Sequence, residues 1–281
     1  HMTTCYINGT YQSLLKSKVS ITDRGFQFSD GVYEVIAVYE NKFVDINLHL
    51  SRLMTSLKKL NIKIDLKIDQ IEKISEKIKR VNHLSNGIIY LQITRGNQHP
   101  RDHKYPNNLK PNIIIYSIPK DFQKISNLAK KGVTTSLYPD IRWLRSDIKS
   151  ISLLGNSLAA NYAKDKKNHE AILYDSNNFI TEGNSSSIWI IKKDKCITHP
   201  LGYRILKGCT RHKLISIIKR AKLKFEENKF SIKSLLSADE VFMTSATNFV
   251  MPIVKVDKHR ISNGVPGQIS LHLREEFIKQ V

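Results

Sequence analysis

The first third of the chain has apolar stretches of strand length followed by apolar residues at helical spacing. Asn8-Gly9 lies between two short apolar stretches, which is a strong signal for a β-hairpin. Glu40-Asn41 separates the apolar stretch 31–38 from the stretch 42–46 in the same way. The pattern therefore predicts two hairpins near the start of the chain.

Farther along, apolar residues recur three and four positions apart, which is the spacing of one face of a helix. Asn47 precedes the first of these repeats and is available as its N-cap. Two short, continuous apolar runs follow, and such runs are typical of buried strands. We predict helices at residues 50–60 and 68–81, and strands at residues 88–93 and 113–116.

A mostly polar stretch at residues 119–124 is the best candidate for a linker between domains. Beyond it, we predict strands at residues 132–138, 171–174, 188–191, 240–244 and 253–256, and helices at residues 154–166, 210–223 and 267–280. Strands and helices mix without regular alternation, which predicts an α+β chain of two domains. The predicted domains are a smaller N-terminal α/β domain at residues 2–120 and a larger, strand-rich C-terminal domain at residues 121–281.

A formal net charge of +20 is the one unusual bulk property of the chain. The positive residues are mostly lysines scattered at helical spacing, with no basic tail and no nucleic-acid-binding motif. We therefore expect solvated lysine faces and no nucleic-acid partner. The excess charge also suits anionic ligands, such as a phosphate cofactor or dicarboxylate substrates.

The remaining bulk features predict a soluble, cytoplasmic protein. No apolar run reaches the roughly 20 residues that span a bilayer, so we expect no membrane partner. Cys5, Cys196 and Cys209 are far apart and odd in number, which predicts reduced cysteines with neither a disulfide framework nor a metal site. His1 precedes Met2 and is interpreted as a tag remnant.

One lysine stands in an apolar sequence setting. Lys149 follows Ile148 and precedes Ser150-Ile151. Loss of solvation favours the neutral amine of a lysine, and a neutral amine can form a Schiff base with a carbonyl compound. A solvated lysine at the end of a strand is the ordinary alternative, and this motif alone does not decide between the two.

Three further stretches place hydroxyl groups and backbone amides where an anion could bind. In Thr181-Glu182-Gly183-Asn184-Ser185-Ser186-Ser187, the carboxylate of Glu182 could also face a cationic ring nitrogen. Lys207-Gly208-Cys209-Thr210-Arg211 opens a predicted helix, and helix N-termini bind phosphate. Thr244-Ser245-Ala246-Thr247-Asn248 ends a predicted strand. Each stretch could be an ordinary polar turn or helix cap, so only their order along the chain is informative.

In this order, the stretches resemble the fold-type IV pyridoxal-phosphate enzymes, which include D-amino-acid transaminases, branched-chain aminotransferases and aminodeoxychorismate lyases. The resemblance extends from Asp23-Arg24-Gly25-Phe26 to Gly267, and among these members it is strongest to the bacterial D-alanine aminotransferases. The matching stretches are Asp30-Gly31-Val32-Tyr33-Glu34, His49-Leu50-Ser51-Arg52-Leu53, Arg142-Trp143-Leu144-Arg145, Asp147-Ile148-Lys149-Ser150 and Leu206-Lys207-Gly208. It implies a two-domain fold with pyridoxal 5′-phosphate between the domains.

The resemblance also implies roles for individual residues. Lys149 would hold the cofactor through a Schiff base and would move a proton to and from the substrate Cα. Glu182 would pair with the pyridine nitrogen, and Arg52 would bind the cofactor phosphate. Further cofactor contacts are implied for Ser185, Leu206, Cys209, Thr210, Ser245 and Ala246. Ser187, Cys209 and Ala246 depart from the residue types usual in the family, which puts the detailed phosphate contacts in doubt but not the chemistry.

For the substrate, the resemblance implies that Tyr33, Arg101 and His103 bind the α-carboxylate, the last two reaching across from the neighbouring chain of a homodimer. Residues two apart in an extended loop point the same way, and an Arg–carboxylate contact is charge-assisted. The implied activity is a ping-pong transamination between D-amino acids and 2-oxo acids. D-Alanine and 2-oxoglutarate would give pyruvate and D-glutamate.

Three alternatives remain open. An aminodeoxychorismate lyase, which releases pyruvate to give 4-aminobenzoate, would share the fold, Lys149 and Glu182. A branched-chain L-aminotransferase would also share the fold. The Arg101 and His103 pair favours the transaminase of D-amino acids over both. The +20 charge would permit a binding protein without catalysis, but the presence of Lys149, Glu182 and Arg52 is evidence against it.

Overall fold

The computed structural model describes residues 2–281, and His1, interpreted above as a tag remnant, lies outside them. The chain forms two compact units. The first unit ends at Phe122 and also includes Ile148–Ser152, and the second consists of Gln123–Asp147 and Leu153–Val281. Lys149 therefore belongs to the first unit, whereas the sequence placed it in the C-terminal domain.

The first unit contains a six-stranded antiparallel sheet. Its strands are β1 (Thr4–Ile7), β2 (Thr10–Ser13), β3 (Gly31–Tyr39), β4 (Lys42–Phe43), β5 (Gly87–Thr94) and β6 (Asn112–Pro119), in the order β2-β1-β6-β5-β3-β4. Both predicted hairpins are confirmed, because Asn8-Gly9 joins β1 to β2 and Glu40-Asn41 joins β3 to β4. All four turn residues have positive φ, as this class of two-residue hairpin turn requires.

The helices of the first unit are α1 (Arg24–Phe28), α2 (Ile46–Lys59) and α3 (Ile68–Val81), preceded by a 3₁₀ turn at Leu14–Lys16. The predicted bounds of α3 are confirmed. The prediction of Asn47 as a helix cap was wrong: β4 ends early, Asp45 is the N-cap residue, and Asn47 lies in the first turn of α2. Buried side chains of α2 and α3, among them Leu50, Leu53 and Ile71, form one core with apolar residues of the sheet.

The second unit contains a nine-stranded mixed sheet. Its strands are β7 (Val133–Pro139), β8 (Glu170–Tyr174), β9 (Ile180–Gly183), β10 (Ser187–Lys192), β11 (Lys195–Thr198), β12 (Lys224–Glu227), β13 (Glu240–Ser245), β14 (Phe249–Val256) and β15 (His259–Arg260). The order is β12-β11-β10-β13-β14-β7-β8-β9, and β15 pairs with β14. Strand β7 is parallel to β8 and β14, and β11 is parallel to β12. The sequence missed β9, β11, β12 and β15, which are too short for a clear apolar period.

The remaining helices are α4 (Phe122–Lys131), α5 (Leu154–Asp165), α6 (Cys209–Arg220), α7 (Ile232–Leu236) and α8 (Gln268–Lys279). The predicted linker at residues 119–124 is largely structured, because β6 ends at Pro119 and α4 begins at Phe122. Ile125, Leu128 and Ala129 recur at helical spacing and pack into the core of the second unit. Within residues 2–281, no helix is long and apolar enough to cross a membrane.

Candidate active site

Lys149 lies on a short segment that runs alongside β3 in the first unit. The amide of Tyr33 donates to the carbonyl of Lys149 at 3.0 Å, and the amide of Ile151 donates to the carbonyl of Gly31 at 3.1 Å. A glycine is needed at position 31, since a Cβ there would lie 2.7 Å from the carbonyl oxygen of Ile93. The amide of Lys149 also donates to the hydroxyl of Ser56 on α2 at 3.3 Å. The backbone of the lysine is thus held by a strand and a helix.

The side chain of Lys149 is half-buried above an aromatic ring. Its Nζ atom lies 4.2 Å from the centroid of the Tyr33 ring. Tyr33 stacks on Tyr90 with ring centroids 6.0 Å apart, and Tyr90 contacts Tyr116 at 5.1 Å. The structure therefore brings together the lysine predicted for catalysis and the tyrosine predicted for substrate binding.

Arg52 is held by a buried carboxylate. Its Nε donates to both oxygens of Glu34 at 3.1 and 3.0 Å, and its Nη2 lies 2.5 Å from Oε1. The Nδ1 atom of His49 is 2.9 Å from the same Oε1. His49 and Arg52 are three residues apart on α2 and therefore share one helix face. We call Glu34, His49 and Arg52 the Glu34 cluster.

The Glu34 cluster holds one negative and one positive charge. Burial opposes ionisation of Glu34, but Arg52 and His49 outweigh it and lower the pKa of that carboxyl to about 2. Burial lowers the pKa of His49, although Glu34 counteracts the effect. A neutral imidazole beside an ionised carboxylate donates its Nδ1–H, so His49 acts as a hydrogen-bond donor to Glu34.

Arg101 and His103 lie on an exposed loop of the first unit. The Arg101 guanidinium is 4.4 Å from the centroid of the Phe28 ring, and the His103 ring is 5.3 Å from it. Both side chains therefore reach one ring, as their spacing predicts for an extended loop. Across residues 2–281, no hydrogen bond or ring contact joins either residue to Tyr33 or Lys149.

In the second unit, Glu182 on β9 is paired with an arginine. Its Oε2 is 2.5 Å from Nη1 of Arg142, and its Oε1 accepts from the amide of Leu206 at 3.0 Å. Arg142 also donates through Nε and Nη2 to the two oxygens of Asp140, at 3.0 and 2.9 Å. We call Glu182, Arg142 and Asp140 the Glu182 cluster.

The carboxylates of the Glu182 cluster have different electrostatics. Burial raises the pKa of Glu182, while Arg142 and the Leu206 amide counteract the rise. Burial alone would also raise the pKa of Asp140. The two hydrogen bonds from Arg142 outweigh this effect and lower the pKa of that carboxyl to about 2. The two carboxylates together raise the pKa of Arg142 against the effect of burial, so the guanidinium stays charged.

The turn after Leu206 leads into the N-terminus of α6. Gly208 is the N-cap residue of α6, no side chain caps this end, and Cys209 and Thr210 are buried in the first turn. First-turn amides carry the positive end of the helix dipole. Because the Leu206 amide binds Glu182, the second unit places this helix end beside the carboxylate that the sequence singled out.

The other predicted cofactor contacts, Ser185 and Ser245, have hydrogen-bond partners within the second unit. The hydroxyl and the amide of Ser185 donate to Glu170 Oε1 at 2.9 and 3.1 Å. Ser245 ends β13, and its hydroxyl accepts from the amide of Asn248 at 3.2 Å, which closes the turn that contains Ala246. Sequence reasoning missed Glu170, a buried carboxyl whose pKa is raised by burial.

The fold and the sequence define a family. The model of the family "Amino-transferase class IV" matches residues 31–256. The chain therefore belongs to the class IV aminotransferases, which are pyridoxal-phosphate-dependent enzymes with a mixed α/β fold.

Curated relatives match along the full chain. The D-alanine aminotransferase of Staphylococcus epidermidis is 36% identical over 281 residues, covering 100% of this chain and 98% of the relative. That of Listeria monocytogenes is 36% identical over 263 residues, covering 94% and 91%. That of Staphylococcus aureus is 35% identical over 277 residues, covering 98% and 97%.

Solved structures share the fold. The Escherichia coli branched-chain amino acid aminotransferase has a TM-score of 0.91 at 22% identity, covering 99% of this chain and 94% of that chain. The branched-chain aminotransferase of Thermoproteus uzoniensis has a TM-score of 0.88 at 21% identity, covering 99% and 94%. At this level of identity, the similarity establishes the fold and not the substrate.

Each unit, taken by itself, carries groups whose chemistry fits part of a cofactor of this family. The first unit supplies a half-buried amine and an arginine, Lys149 and Arg52. The second unit supplies a carboxylate, Glu182, whose hydrogen-bond partner Leu206 leads into the N-terminus of α6. An amine for the aldehyde, a carboxylate for the ring nitrogen and amides for the phosphate are the groups that pyridoxal phosphate needs.

Proposed function

We propose that this class IV aminotransferase transfers amino groups between D-amino acids and 2-oxo acids, converting D-alanine and 2-oxoglutarate to pyruvate and D-glutamate. The observation that carries the proposal is the full-length similarity, at 35–36% identity, to D-alanine aminotransferases of three bacteria.

We assign the cofactor to the residues whose chemistry suits each of its groups. Lys149 binds it covalently, Glu182 pairs with the ring nitrogen, and Arg52 binds the phosphate. Further phosphate and ring contacts are assigned to Ser185, Leu206, Cys209, Thr210, Ser245 and Ala246. When bound, pyridoxal phosphate supplies an electron-withdrawing ring that stabilises negative charge at the substrate Cα.

Lys149 is assigned the proton transfers at the substrate. Its Nζ atom takes the proton from Cα of a D-amino acid and later delivers a proton on the return path. The Lys149 backbone is held by its hydrogen bonds to the Tyr33 amide and to the Ser56 hydroxyl, and this limits the positions that the side-chain amine can reach. The Tyr33 ring blocks one side of Nζ, which supports proton transfer at a single face of the substrate.

Tyr33, Arg101 and His103 are assigned to the substrate α-carboxylate. A guanidinium and an imidazole two residues apart can bind one carboxylate from the same side. Arg101 and His103 both contact Phe28 and have no bond to Tyr33 within the described residues. We therefore propose that they serve the site of the other chain in a homodimer, which makes the dimer necessary for activity.

The test of the function is pyruvate release from D-alanine and from L-alanine, each with 2-oxoglutarate and added pyridoxal phosphate. The proposal predicts pyruvate from the D enantiomer alone. Formation of glutamate from 2-oxoglutarate with L-leucine or L-valine in place of D-alanine would contradict it and indicate a branched-chain L-aminotransferase. Inactivity with all four amino acids, from protein that binds the cofactor, would indicate a lyase.

The carboxylate assignment has its own test in Arg101→Ala. We expect the KM for D-alanine to rise on the order of 10- to 100-fold, because a hydrogen-bonded charge is lost from the substrate complex. The exposed Arg80 on α3 gives a matched control, and Arg80→Ala should leave KM unchanged. An unchanged KM in Arg101→Ala would remove Arg101 from the substrate site.

A further inference from the structure

Arg24 is a buried arginine of the first unit that no step above uses. It begins α1, and its guanidinium is fixed by the carboxylate of Asp30, which accepts from Nε at 2.9 Å. Asp30 is in turn held by Arg95, whose Nε and Nη2 donate to it at 2.7 and 3.1 Å.

This ion network is anchored to the rest of the unit. Arg95 donates through Nη2 to the carbonyl of Leu60 at 2.8 Å, at the end of α2, and through Nη1 to that of Asn61 at 3.2 Å. The Arg24 amide donates to the carbonyl of Gly96 at 2.9 Å. Arg24 is therefore a rigid part of the unit and not a mobile surface side chain.

The other donors of Arg24 bind the loop that carries Arg101 and His103. Nη1 donates to the carbonyl of Asp102 at 2.5 Å and to the side-chain oxygen of Gln98 at 2.6 Å. Nη2 donates to the carbonyl of His103 at 2.9 Å. The guanidinium thus holds the backbone directly after Arg101 and at His103.

Helix α1 holds the side chains of the same loop. Phe28, one helical turn after Arg24, contacts both Arg101 and His103 through its ring. The Arg24 guanidinium also lies over the Phe28 ring, with its central carbon 4.5 Å from the ring centroid. Backbone and side chains of the loop are therefore located relative to one helix.

We propose that Arg24 is a positioning residue that sets where Arg101 and His103 present their donors to the substrate carboxylate. It touches the loop backbone and acts on the substrate only through that loop. The proposal rests on the function proposed above, in which Arg101 and His103 bind the carboxylate. It makes Arg24 a determinant of substrate affinity.

The fork of an arginine is essential to this arrangement. Arg24 binds a carboxylate, an amide oxygen and two carbonyls that point at it from different directions. A lysine ammonium has three donors at a single point and cannot span these acceptors. Arg24→Lys should therefore keep the ion pair with Asp30 but lose part of the hold on the loop, whereas Arg24→Met should lose all of it.

The experiment compares Arg24→Met, Arg24→Lys, Arg101→Ala and the double variant Arg24→Met/Arg101→Ala, with the exposed Arg80→Met as control. Amide hydrogen exchange of residues 99–105 reports on the loop without substrate. Steady-state kinetics with D-alanine report KM and kcat separately, and thermal unfolding reports on the fold.

We expect faster exchange of the loop in both Arg24 variants, and more so in Arg24→Met. The KM for D-alanine should rise about tenfold in Arg24→Met, less in Arg24→Lys, with kcat nearly unchanged. The KM of the double variant should rise by less than the product of the two single effects, since Arg24 acts partly through Arg101. Arg80→Met should match the wild type in every measurement.

Wild-type loop exchange in both Arg24 variants would overturn the proposal. So would additive effects on KM in the double variant, or a fall in kcat with KM unchanged. If Arg24→Met does not fold, Arg24→Lys decides by the same criteria. If Arg101→Ala itself leaves KM unchanged, the carboxylate assignment fails, and loop exchange then shows separately whether Arg24 holds the loop.

Discussion

The two ion clusters use the same groups in opposite roles. In the Glu34 cluster the arginine is the proposed ligand, for a phosphate, and the carboxylate positions it. In the Glu182 cluster the carboxylate is the proposed ligand, for a ring nitrogen, and Arg142 positions it. Each support also has another partner: Glu34 binds His49 as well as Arg52, while Arg142 binds Asp140 and the carbonyl of Arg204 as well as Glu182.

The pKa values of the two carboxyls, Glu34 and Glu182, shift in opposite directions. Glu34 has a pKa lowered to about 2, so it is a fixed negative charge. Burial raises the pKa of Glu182, which makes it the more basic carboxyl. A fixed charge suits the support of a guanidinium, and a basic carboxylate suits hydrogen bonding to a protonated nitrogen. Changing each carboxylate to its amide should therefore have different consequences.

The largest effect is expected for Glu182→Gln. A neutral amide cannot stabilise a protonated ring nitrogen, so kcat for D-alanine should fall by about 100- to 1000-fold. The unfolding free energy should change much less, because Arg142 keeps its two bonds to Asp140. Glu275→Gln, at an exposed position of α8 in the same unit, is the control. A kcat near that of the wild type would remove Glu182 from the site.

Glu34→Gln should act on stability and cofactor affinity instead. It leaves the nearly buried guanidinium of Arg52 beside a neutral partner, and losing one member of a buried ion pair costs about 3–5 kcal/mol. We expect a loss of about that size in urea unfolding at neutral pH, together with weaker binding of pyridoxal phosphate. The exposed Glu40→Gln should show neither change. Equal stability of Glu34→Gln and Glu40→Gln would show that the cluster is not a support.

The pH dependence of stability should distinguish the clusters by sign. The folded-state pKa of Glu34, about 2, is below its ordinary 4.5, so its stabilisation is complete above pH 4.5 and is lost as pH falls toward 2. The folded-state pKa of Glu182 is raised, so its contribution is present below pH 4.5 and is lost as pH rises above it.

In urea unfolding across this range, Glu34→Gln should reduce the acid loss below pH 4.5, and Glu182→Gln should reduce the loss above it. The same change of slope in both variants would contradict the difference between the clusters.

The smallest effect is expected at His49. Asn can replace the Nδ1–H donor to Glu34, so His49→Asn should cost about 1 kcal/mol or less in unfolding free energy. His49→Phe removes the donor and should cost more. If the two variants lose equal stability, the hydrogen bond to Glu34 is not what His49 contributes.

Local signals predicted much of the fold. Asn8, Gly9 and Asn41 mark the two turns because Asn and Gly adopt positive φ more readily than other residues, and the apolar period of α3 marks its bounds. Helix α4 was missed because polar residues around Pro119 hide the apolar period that starts at Phe122. The segment of Lys149 was placed in the wrong unit because its pairing with β3 is a long-range contact that no local pattern contains.

The supporting residues of the proposed site were not predicted, because their contacts are long-range as well. Motifs indicated Lys149, Arg52 and Glu182, but their supports Glu34, His49 and Glu170 bind them or their neighbours across long sequence separations. One signal was available, since Glu34 is a single carboxylate inside the otherwise apolar stretch of β3. A buried charge of this kind requires a partner.

The most direct test of the account is a half-reaction. Protein loaded with pyridoxal phosphate is mixed with D-alanine alone, without a 2-oxo acid, and with L-alanine in a parallel sample. The account predicts loss of the yellow cofactor absorbance and one equivalent of pyruvate per chain from D-alanine, no change with L-alanine, and no reaction in Lys149→Ala. Pyruvate from L-alanine, or an unchanged Lys149→Ala, would contradict it.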